Sequence, residues 1–395
     1  MGWAVKGTVS LVIFKSLNKK GTLVKDGNLT YQYQLSQFIV IFKRSNPVNG
    51  RNLKNAVIYI KLYNKIYWGG IMKDFAGKIL FITGGASGAG FGQAKVFSEA
   101  GCKVVIADIR QDHLDEATEY FRDKKAEVHA IKLDITDRKA YAAAADEVEK
   151  IFGSPPQMLF NTAGVNAFGP AEASTFGDYD WVMGVCLGGV INGMVTFVPR
   201  MIKAGKGGYI VTTSSMGGFM GTPGCAPYSA AKAAVNNLME SYYHALKPYG
   251  IGVSCLCPAG IRSNIAEASY TRPKHLENTG YNTNEKTIEF MRYHYSFGID
   301  PMELAHILKK GIENEQLYIL PFPDPEKLLR DNFERVINYA TPEGIKRQGE
   351  LMKKHLEEMR KRMGGDNGPM KGAAEAGWGK ARPDLTWVKE PKWPF

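Results

Sequence analysis

The sequence predicts an α/β protein whose single main domain is built on a doubly wound, seven-stranded parallel sheet. Between residues 78 and 322, short runs rich in β-branched residues alternate with stretches of helical periodicity, which is typical of parallel strands joined by crossover helices. The first of these runs is followed by a glycine-rich turn that opens a helix. With 395 residues, 44% of them hydrophobic, the chain is long enough for one large domain with appendages.

Each predicted strand is short and apolar, and each precedes a segment long enough for a helix. The predicted strands are residues 79–83, 104–108, 128–134, 158–161, 209–213, 253–257 and 317–320. Such short apolar runs are typical of strands that are buried on both faces of a sheet.

Composition divides the chain into three segments. Residues 1–71 hold nine Lys and two Arg against one acid, so they carry ten of the eleven net positive charges. Residues 72–322 hold the predicted sheet, and residues 323–395 are expected to form a helical C-terminal extension and tail. Because the predicted sheet domain is close to neutral, no basic face for nucleic acid is expected.

The first segment is interpreted as a non-native or disordered extension. The run 68–72 requires purine-rich codons that resemble a bacterial ribosome-binding site directly before the start codon of Met72. Translation is therefore expected to begin at Met72. A genuine disordered arm and a targeting peptide are the alternatives.

Cysteine usage and hydropathy indicate a soluble, cytoplasmic protein. The five cysteines form no C-x-x-C pair and no Cys/His cluster at zinc-ligand spacing, so we expect no metal site. No apolar run approaches the roughly 18 residues that cross a bilayer, so we expect no membrane partner.

The glycine-rich turn predicts a dinucleotide site. Gly84, Ser87, Gly88 and Gly90 follow the first strand, where backbone N–H groups and a helix N-terminus can approach a pyrophosphate. Asp108 ends the second strand, where a carboxylate can accept the ribose hydroxyls of NAD and repel the 2′-phosphate of NADP. The sequence therefore favours NAD over NADP, although Arg110 weakens this preference slightly.

The pattern T-G-x-x-x-G-x-G resembles that of the short-chain dehydrogenase/reductase family, which has a Rossmann-type fold. Asp134 matches the carboxylate that this family places beside the adenine, and residues 161–164 resemble its N-N-A-G motif. The resemblance covers about residues 76–322. It implies cofactor contacts from three further residues, namely Asn161, Ala163 and Gly164.

Tyr228 and Lys232 resemble the family's Y-x-x-x-K motif and lie on one face of a predicted helix. An unperturbed tyrosine has a pKa of about 10, so a nearby ammonium is needed to favour its phenolate form. The resemblance makes Tyr228 the acid/base, with both residues also touching the cofactor. Ser215, thirteen residues before Tyr228, corresponds to the catalytic serine, and Ser214 is the alternative.

Two further segments bear on the resemblance. Residues 258–263 are similar to the family's P-G segment, with Ala259 at the usual glycine position and Ile261 and Ser263 as expected nicotinamide contacts. Cys186 stands where the family places an Asn that holds a water for proton relay. A thiol is a poor hydrogen-bonding substitute, so we expect a slower relay with the same reaction type.

The substrate is predicted to be a secondary alcohol or ketone. Three stretches, residues 81–94, 181–201 and 263–269, look similar to Cα-dehydrogenases that oxidise the benzylic alcohol of lignin-derived β-aryl ethers. Aromatic and apolar residues could line a matching pocket, namely Phe168, Phe219, Met220, Tyr270 and Tyr281. A steroid-like or polyketide-like alcohol and a catalytically weakened dinucleotide sensor are the alternatives.

The C-terminal extension carries an apolar helical stripe. Ile345, Met352, Leu356, Met359 and Met363 recur at helical spacing. Such a stripe packs on its own domain or forms a subunit contact. A homodimer or homotetramer is expected from the family resemblance.

A chain that begins at Met72 is predicted to fold, bind NAD and turn over substrate like the full chain, because residues 1–71 contribute no recognisable strand of the sheet. Circular dichroism, NADH titration and a steady-state assay on both chains would test this. Loss of folding or activity in the shorter chain would make the first segment a genuine domain.

Overall fold

The structure is a computed structural model, and it describes residues 10–15, 31–35, 38–43, 72–124, 126–277, 281, 284–338, 347, 349–355 and 357–358. The chain divides into two compact units, Met1–Tyr63 and Asn64–Phe395.

The described part of the first unit is a three-stranded antiparallel sheet. Strands β1 (Ser10–Lys15), β2 (Tyr31–Leu35) and β3 (Phe38–Lys43) lie in the order β1-β3-β2. Their residues are mostly β-branched and aromatic, which favours extended backbone. The sequence analysis assigns no strand to this segment, although Tyr31–Leu35 alternates tyrosine or leucine with glutamine. That translation begins at Met72 stays a prediction.

The second unit contains a parallel sheet of seven strands, which confirms the predicted fold class. The strand order is β10-β9-β8-β7-β4-β5-β6. The strands are β4 (Ile79–Thr83), β5 (Lys103–Asp108), β6 (Val128–Lys132), β7 (Met158–Asn161), β8 (Gly208–Thr213), β9 (Ile251–Leu256) and β10 (Tyr318–Ile319).

Helices cover both faces of this sheet, so its central strands are buried on both sides. The helices described in this unit are α1 (Gly88–Glu99), α2 (Gln111–Asp123), α3 (Arg138–Phe152), α4 (Phe176–Met183), α5 (Gly189–Ala204), α6 (Ala226–Leu246), α7 (Glu285–Ser296), α8 (Pro301–Glu313) and α9 (Pro325–Asn338). Helices α1, α2 and α8 pack on one face of the sheet and α3, α5 and α6 on the other. A π-helical turn, Gly184–Gly188, joins α4 to α5.

The alternation of side chains along β4 separates the two halves of the core. Leu80 and Ile82 pack with residues of α1, α2 and α8 on one face. Phe81 packs with residues of α3, α5 and α6 on the other. Successive strand residues point to opposite faces, so a five-residue strand that is buried throughout requires helices on both sides.

Side-chain caps are found at the N-termini of several of these helices. The Asp137 carboxylate accepts hydrogen bonds from the backbone N–H groups of Lys139 and Ala140 at the start of α3, and Gly153 ends that helix with a φ of 67°. Asp300 caps α8 in the same way, with Pro301 at its first position. Capping satisfies N–H groups that have no intrahelical acceptor, so these helices begin at defined residues.

The strand order reverses beside β4. From β4 the chain moves to β5 on one side, whereas β7 pairs with the other side of β4. At such a switch point the helices that follow the two strands lie on opposite faces, which opens a crevice at the carboxyl ends of the strands. This crevice positions the candidate site.

Some predicted boundaries differ from the structure. Residues 133 and 134 leave the sheet after β6, because the Asp134 carboxylate accepts hydrogen bonds from the backbone N–H and hydroxyl of Thr136 and forms a turn. Strand β9 begins at Ile251, two residues earlier than predicted. Strand β10 is two residues long and pairs only with β9.

The continuous helical segment Phe176–Ala204 has 29 residues and a mean hydropathy of 1.8 in its most apolar window, so its length and composition would allow it to cross a membrane. Half of that window is buried in the protein. Phe197 and Met201 of this segment pack in the core beneath the sheet. Burial in a core accounts for the apolar composition.

The described residues of the C-terminal extension are mostly helical, as predicted. Helix α9 contacts the sheet domain, since the Asn332 amide donates a hydrogen bond of 2.7 Å to the Phe219 carbonyl. Of the predicted apolar stripe, Met352 is helical and 51% exposed. The other members lie outside the described residues, namely Ile345, Leu356, Met359 and Met363.

Candidate active site

A cavity of about 840 Å³ opens at the carboxyl ends of the strands. Its wall includes residues that follow β4, β5, β6, β7, β8 and β9, together with residues of α4, α6 and α7. Among the predicted site residues, all but Asn161 line it, namely Gly84, Ser87, Gly88, Gly90, Asp108, Asp134, Ala163, Gly164, Ser215, Tyr228, Lys232, Ile261 and Ser263.

The glycine-rich turn depends on glycine for both conformation and space. Gly84 and Gly88 have φ values of +64° and +49°, which favour glycine. A Cβ atom on Gly84 would lie 2.8 Å from the Ala163 Cα, and one on Gly90 would lie 2.0 Å from the Gly84 carbonyl oxygen. The turn therefore packs directly against the loop that follows β7, and its backbone faces the cavity.

Asp108 lies at the end of β5 and is 9% exposed. Its carboxylate accepts hydrogen bonds from the backbone N–H groups of Ala86, at 3.3 Å, and Arg110, at 3.1 Å. Burial raises the pKa of this carboxyl above its ordinary value, and the two backbone hydrogen bonds oppose that effect. The carboxylate is thus fixed in orientation at the cavity wall.

Arg110 is not a free cation. Its guanidinium makes an ion pair with Asp112 and lies 3.9 Å from the Glu267 carboxylate. A 2′-phosphate would have to compete with these carboxylates for the guanidinium.

The segment after β7 lines the cavity with Thr162, Ala163 and Gly164, whereas Asn161 is not part of the wall. Asn161 is buried, and its amide nitrogen donates to the Thr212 hydroxyl at 3.2 Å. This side chain is held within the fold, and the expected contact between Asn161 and a cofactor stays a prediction. Thr162, which the sequence analysis missed, lines the cavity. The Thr83 hydroxyl accepts from the N–H groups of Thr162 and Ala163.

Residues 258–263 close another side of the cavity. Ile261 forms an isolated parallel bridge with Ile299. Gly88 approaches Ser263 so closely that a Cβ on Gly88 would lie 2.9 Å from the Ser263 Cβ. The glycine-rich turn and this segment are therefore in direct contact at the cavity wall.

Helix α6 brings Tyr228 and Lys232 to the cavity on one face. Lys232 is 3% exposed, its ammonium donates a hydrogen bond of 2.8 Å to the Thr213 carbonyl, and it lies 5.4 Å from the centre of the Tyr228 ring. Burial raises the pKa of Tyr228 well above its ordinary value, and the neighbouring Ser215 hydroxyl opposes that effect. Without further positive charge, this phenol is neutral near neutral pH.

The two candidate serines have different partners. Ser214 is buried and its hydroxyl donates to the Lys232 carbonyl at 3.2 Å. Ser215 lines the cavity, and its oxygen accepts from the Gly217 backbone N–H at 3.0 Å. A Cβ on Gly217 would lie 3.5 Å from the Ser215 oxygen and 3.7 Å from the Tyr228 ring, so Ser215 is the serine whose hydroxyl neighbours the tyrosine.

Cys186 lies in the π-helical turn and is fully buried. Its thiol donates a hydrogen bond of 3.1 Å to the Val165 carbonyl, and its sulfur accepts one of 3.4 Å from the Val165 N–H. These bonds give the thiol two backbone partners, and the expected slower proton relay stays a prediction. The thiol satisfies both backbone groups of the loop that continues from residues 161–164.

The other end of the cavity is more apolar than the cofactor end and was largely missed from the sequence. Its wall includes Phe168, Trp181, Leu276, Met291, His294 and Tyr295. The rings of Phe168 and Tyr295 lie 6.2 Å apart. Of the residues predicted for an apolar pocket only Phe168 is found there, whereas Phe219, Met220, Tyr270 and Tyr281 are not part of the wall.

A buried ion pair fixes residues 264–277, several of which line this end and which we call the cover of the cavity. Arg272 and Asp178 lie 2.9 Å apart with side chains 7% and 0% exposed. The Arg272 guanidinium also stacks over the Trp181 ring at 4.9 Å. Removing one partner of such a pair leaves an unpaired buried charge, so Arg272 anchors the cover to α4.

No group of three or more His, Cys, Asp and Glu side chains that could hold a metal ion occurs among the described residues.

Known proteins share this sequence and fold. The family model described as short chain dehydrogenase matches residues 78–274. The C alpha-dehydrogenase of Sphingobium sp. strain NBRC 103272 / SYK-6 is 54% identical over 271 residues, which are 69% of this chain and 89% of that protein.

Two solved structures are similar to the second unit. LigD in its apo form, from Sphingobium sp. strain SYK-6, is 48% identical with a TM-score of 0.58 and covers 68% of this chain and 100% of its own. A short chain dehydrogenase/reductase from Burkholderia phymatum in complex with NAD is 32% identical with a TM-score of 0.64. The match covers 69% of this chain and 98% of that one. The chain therefore belongs to the short-chain dehydrogenase/reductase family and is an oxidoreductase that acts on alcohols.

Proposed function

We propose that this enzyme interconverts a secondary alcohol and a ketone with NAD, using Tyr228 as its acid/base. The observation that carries the proposal is that Tyr228 and Ser215 line the same cavity wall, with the buried Lys232 ammonium 5.4 Å from the centre of the Tyr228 ring. This arrangement supplies a proton acceptor, a donor to the substrate oxygen and a fixed positive charge in one place.

The residues at the strand ends suit a dinucleotide. The backbone of the glycine-rich turn at the start of α1 would hold the pyrophosphate, because the turn admits close approach. Asp108 would accept the ribose hydroxyls, Asp134 would lie beside the adenine, and Ile261 and Ser263 would hold the nicotinamide amide. NAD, when bound, accepts the hydride from the alcohol carbon.

The discrimination against NADP rests on charge. The Asp108 carboxylate lies at the wall of the proposed ribose site, and Arg110 is already paired with acidic side chains. A 2′-phosphate would therefore meet carboxylates and no free guanidinium.

Three side chains would act on the substrate oxygen. Ser215 would donate a hydrogen bond that orients this oxygen toward Tyr228, and Tyr228 would accept its proton. Lys232 favours the Tyr228 phenolate by its charge while the Thr213 carbonyl holds its ammonium. Its ammonium has two further N–H donors, so Lys232 is also proposed to contact the cofactor, as the family resemblance implies.

The proposed substrate is a benzylic secondary alcohol of an aromatic, lignin-derived type. Support comes from Phe168, Trp181 and Tyr295 in the cavity wall and from the 54% identity to a protein named C alpha-dehydrogenase. The reason to consider a non-catalytic sensor was Cys186, whose hydrogen bonds to Val165 are compatible with an active enzyme.

We also propose a soluble cytoplasmic enzyme that works as a homodimer or homotetramer. Support comes from Ile191 and Val195, apolar side chains of α5 that are 39% and 58% exposed in the single chain. Burial of such side chains against a second copy would stabilise an oligomer.

The function is tested by following NADH formation with a panel of benzylic and alicyclic secondary alcohols. We expect turnover with the benzylic alcohols and a rate that rises with pH, because the raised pKa of Tyr228 disfavours the phenolate that accepts the proton. Steady-state turnover across a range of pH measures this. Turnover restricted to alicyclic alcohols would contradict the substrate class only.

Tyr228→Phe is expected to lower turnover by about a hundredfold or more, since the proton acceptor is lost, while NADH binding measured by fluorescence is unchanged. Tyr242→Phe is the matched control, because it removes a hydroxyl from the same helix at a residue that packs against the core. Retained activity above a few per cent in Tyr228→Phe would exclude this tyrosine as the acid/base.

Asp108→Ala is expected to reduce the preference for NAD over NADP by roughly tenfold, because a charge-assisted hydrogen bond to the ribose and the repulsion of phosphate are both lost. Dissociation constants for NADH and NADPH measure the change. An unchanged preference would show that Asp108 does not face the ribose.

Cys186→Ala is expected to lower the free energy of unfolding by about 1–3 kcal/mol, because the Val165 N–H and carbonyl lose a buried partner. Cys186→Asn can replace both hydrogen bonds, and we expect it to raise turnover or lower the pH at which turnover reaches its plateau, since an amide supports proton relay. Urea unfolding and pH–rate profiles measure the two effects.

Cys102→Ala is the control for Cys186, because the Cys102 thiol is also buried and donates to a backbone carbonyl, that of Phe75. Cys102 precedes β5 at the amino end of the sheet, whereas Cys186 lies beside Gly164 of the cavity wall. Cys102→Ala should lower stability without changing the pH–rate profile. If Asn at position 186 gives no gain and Ala abolishes activity, the sulfur itself is needed and the relay hypothesis is wrong.

A further inference from the structure

One acidic side chain joins the two ends of the cavity. Glu267 lies in the short helical segment Asn264–Thr271, which follows β9 and covers the cavity, and both Glu267 and Arg110 line the wall. The Glu267 Oε2 atom lies 3.9 Å from an Arg110 guanidinium nitrogen, and the two side chains are 24% and 30% exposed. A residue of the cover thus pairs with the cation that follows Asp108.

A second arginine holds Glu267 in this position. The other carboxylate oxygen, Oε1, accepts a hydrogen bond of 3.0 Å from the Nε of Arg292 in α7. Arg292 is itself held by the Glu285 carboxylate at 3.0 Å and the Tyr270 hydroxyl at 3.4 Å. Because Arg292 engages one oxygen, the other remains directed toward Arg110.

The opposite edge of the Arg110 guanidinium is also occupied. Its Nε donates to the Asp112 carboxylate at 3.0 Å, and a second nitrogen pairs with the same carboxylate. Asp112 does not line the cavity, whereas Glu267 does. The negative charge that a phosphate would meet inside the cavity beside Arg110 therefore comes from Glu267 in addition to Asp108.

We propose that Glu267 is a specificity-determining residue that excludes NADP by pairing with Arg110 from the cover of the cavity. The inference rests on the proposed NAD site and adds a residue to it from a separate part of the chain. An arginine beside the ribose would otherwise attract a 2′-phosphate through charge-assisted hydrogen bonds. With Glu267 in place, the phosphate must displace a carboxylate and approach its negative charge.

The expected shift in dinucleotide preference is modest because the Glu267 and Arg110 side chains are partly exposed. Ion pairs between partly exposed side chains are weak, so freeing Arg110 from Glu267 contributes only a small gain in affinity for a phosphate. The loss of the Glu267 negative charge near the phosphate adds a second gain. We therefore expect Glu267→Gln to increase the affinity for NADPH relative to NADH by about three- to tenfold. The amide keeps the shape of the side chain and removes its charge.

The test is fluorescence titration of NADH and NADPH into the wild-type full chain and four variants, so that no turnover is required. Glu285→Gln is the matched control, because Glu285 also pairs with Arg292 but is not among the residues that line the cavity. The remaining variants are Glu267→Gln, Arg110→Gln and the double variant, which together form a double-mutant cycle. Circular dichroism verifies that each variant is folded.

The inference is supported if Glu267→Gln shifts the ratio of dissociation constants toward NADPH while Glu285→Gln leaves that ratio unchanged. In the double variant, Arg110→Gln should remove the gain in NADPH affinity that Glu267→Gln produces. An unchanged ratio in Glu267→Gln, or an equal shift in Glu285→Gln, would overturn the inference while leaving the NAD site intact. Wild-type protein that binds neither dinucleotide would overturn the proposed function as well, so the two failures are distinguishable.

Discussion

The hydrogen bond from the buried Lys232 ammonium to the Thr213 carbonyl ties helix α6 to the end of strand β8. The rest of the candidate site depends on this contact. Tyr228 lies one helical turn before Lys232 and so faces the same way, while Ser215 follows two residues after Thr213. One buried cation thereby sets the positions of a tyrosine on a helix and a serine on a loop. The Ser214 hydroxyl, which donates to the Lys232 carbonyl, connects the same two elements a second time.

A similar connection operates at the cofactor end. The Thr83 hydroxyl, at the end of β4, accepts hydrogen bonds from two successive N–H groups of the loop after β7. Gly84 packs against that loop at a distance that leaves no room for a side chain. The loops that follow β4 and β7, on either side of the switch point, are therefore held together by direct contacts. The Val165 backbone, held by Cys186, extends these contacts toward the substrate end.

Features governed by neighbouring residues were predictable from the sequence, and features governed by distant contacts were not. Buried apolar runs predicted the seven strands, and the spacing of Tyr228 and Lys232 predicted that they share a face. The orientation of Asn161 depends on Thr212 in the adjacent strand, which motif order does not reveal. The apolar end of the cavity joins Trp181 on α4 to His294 and Tyr295 near the end of α7, so only packing brings these residues together. The π-helical turn places the Cys186 thiol against the Val165 backbone. Local composition does not predict the geometry of this turn.

The π-helical turn Gly184–Gly188 also constrains how this chain can vary in length. A π turn accommodates one residue more than an α-helical turn, so the helical axis continues while the faces before and after it are rotated by about 100°. Trp181 on one side contributes to the cavity wall, and Phe197 on the other packs beneath the sheet. Deletion of a single residue between them would leave an unbroken helix in which these two side chains could not both keep their positions. Insertions and deletions should therefore be tolerated in the surface loops of this protein far better than in this buried segment.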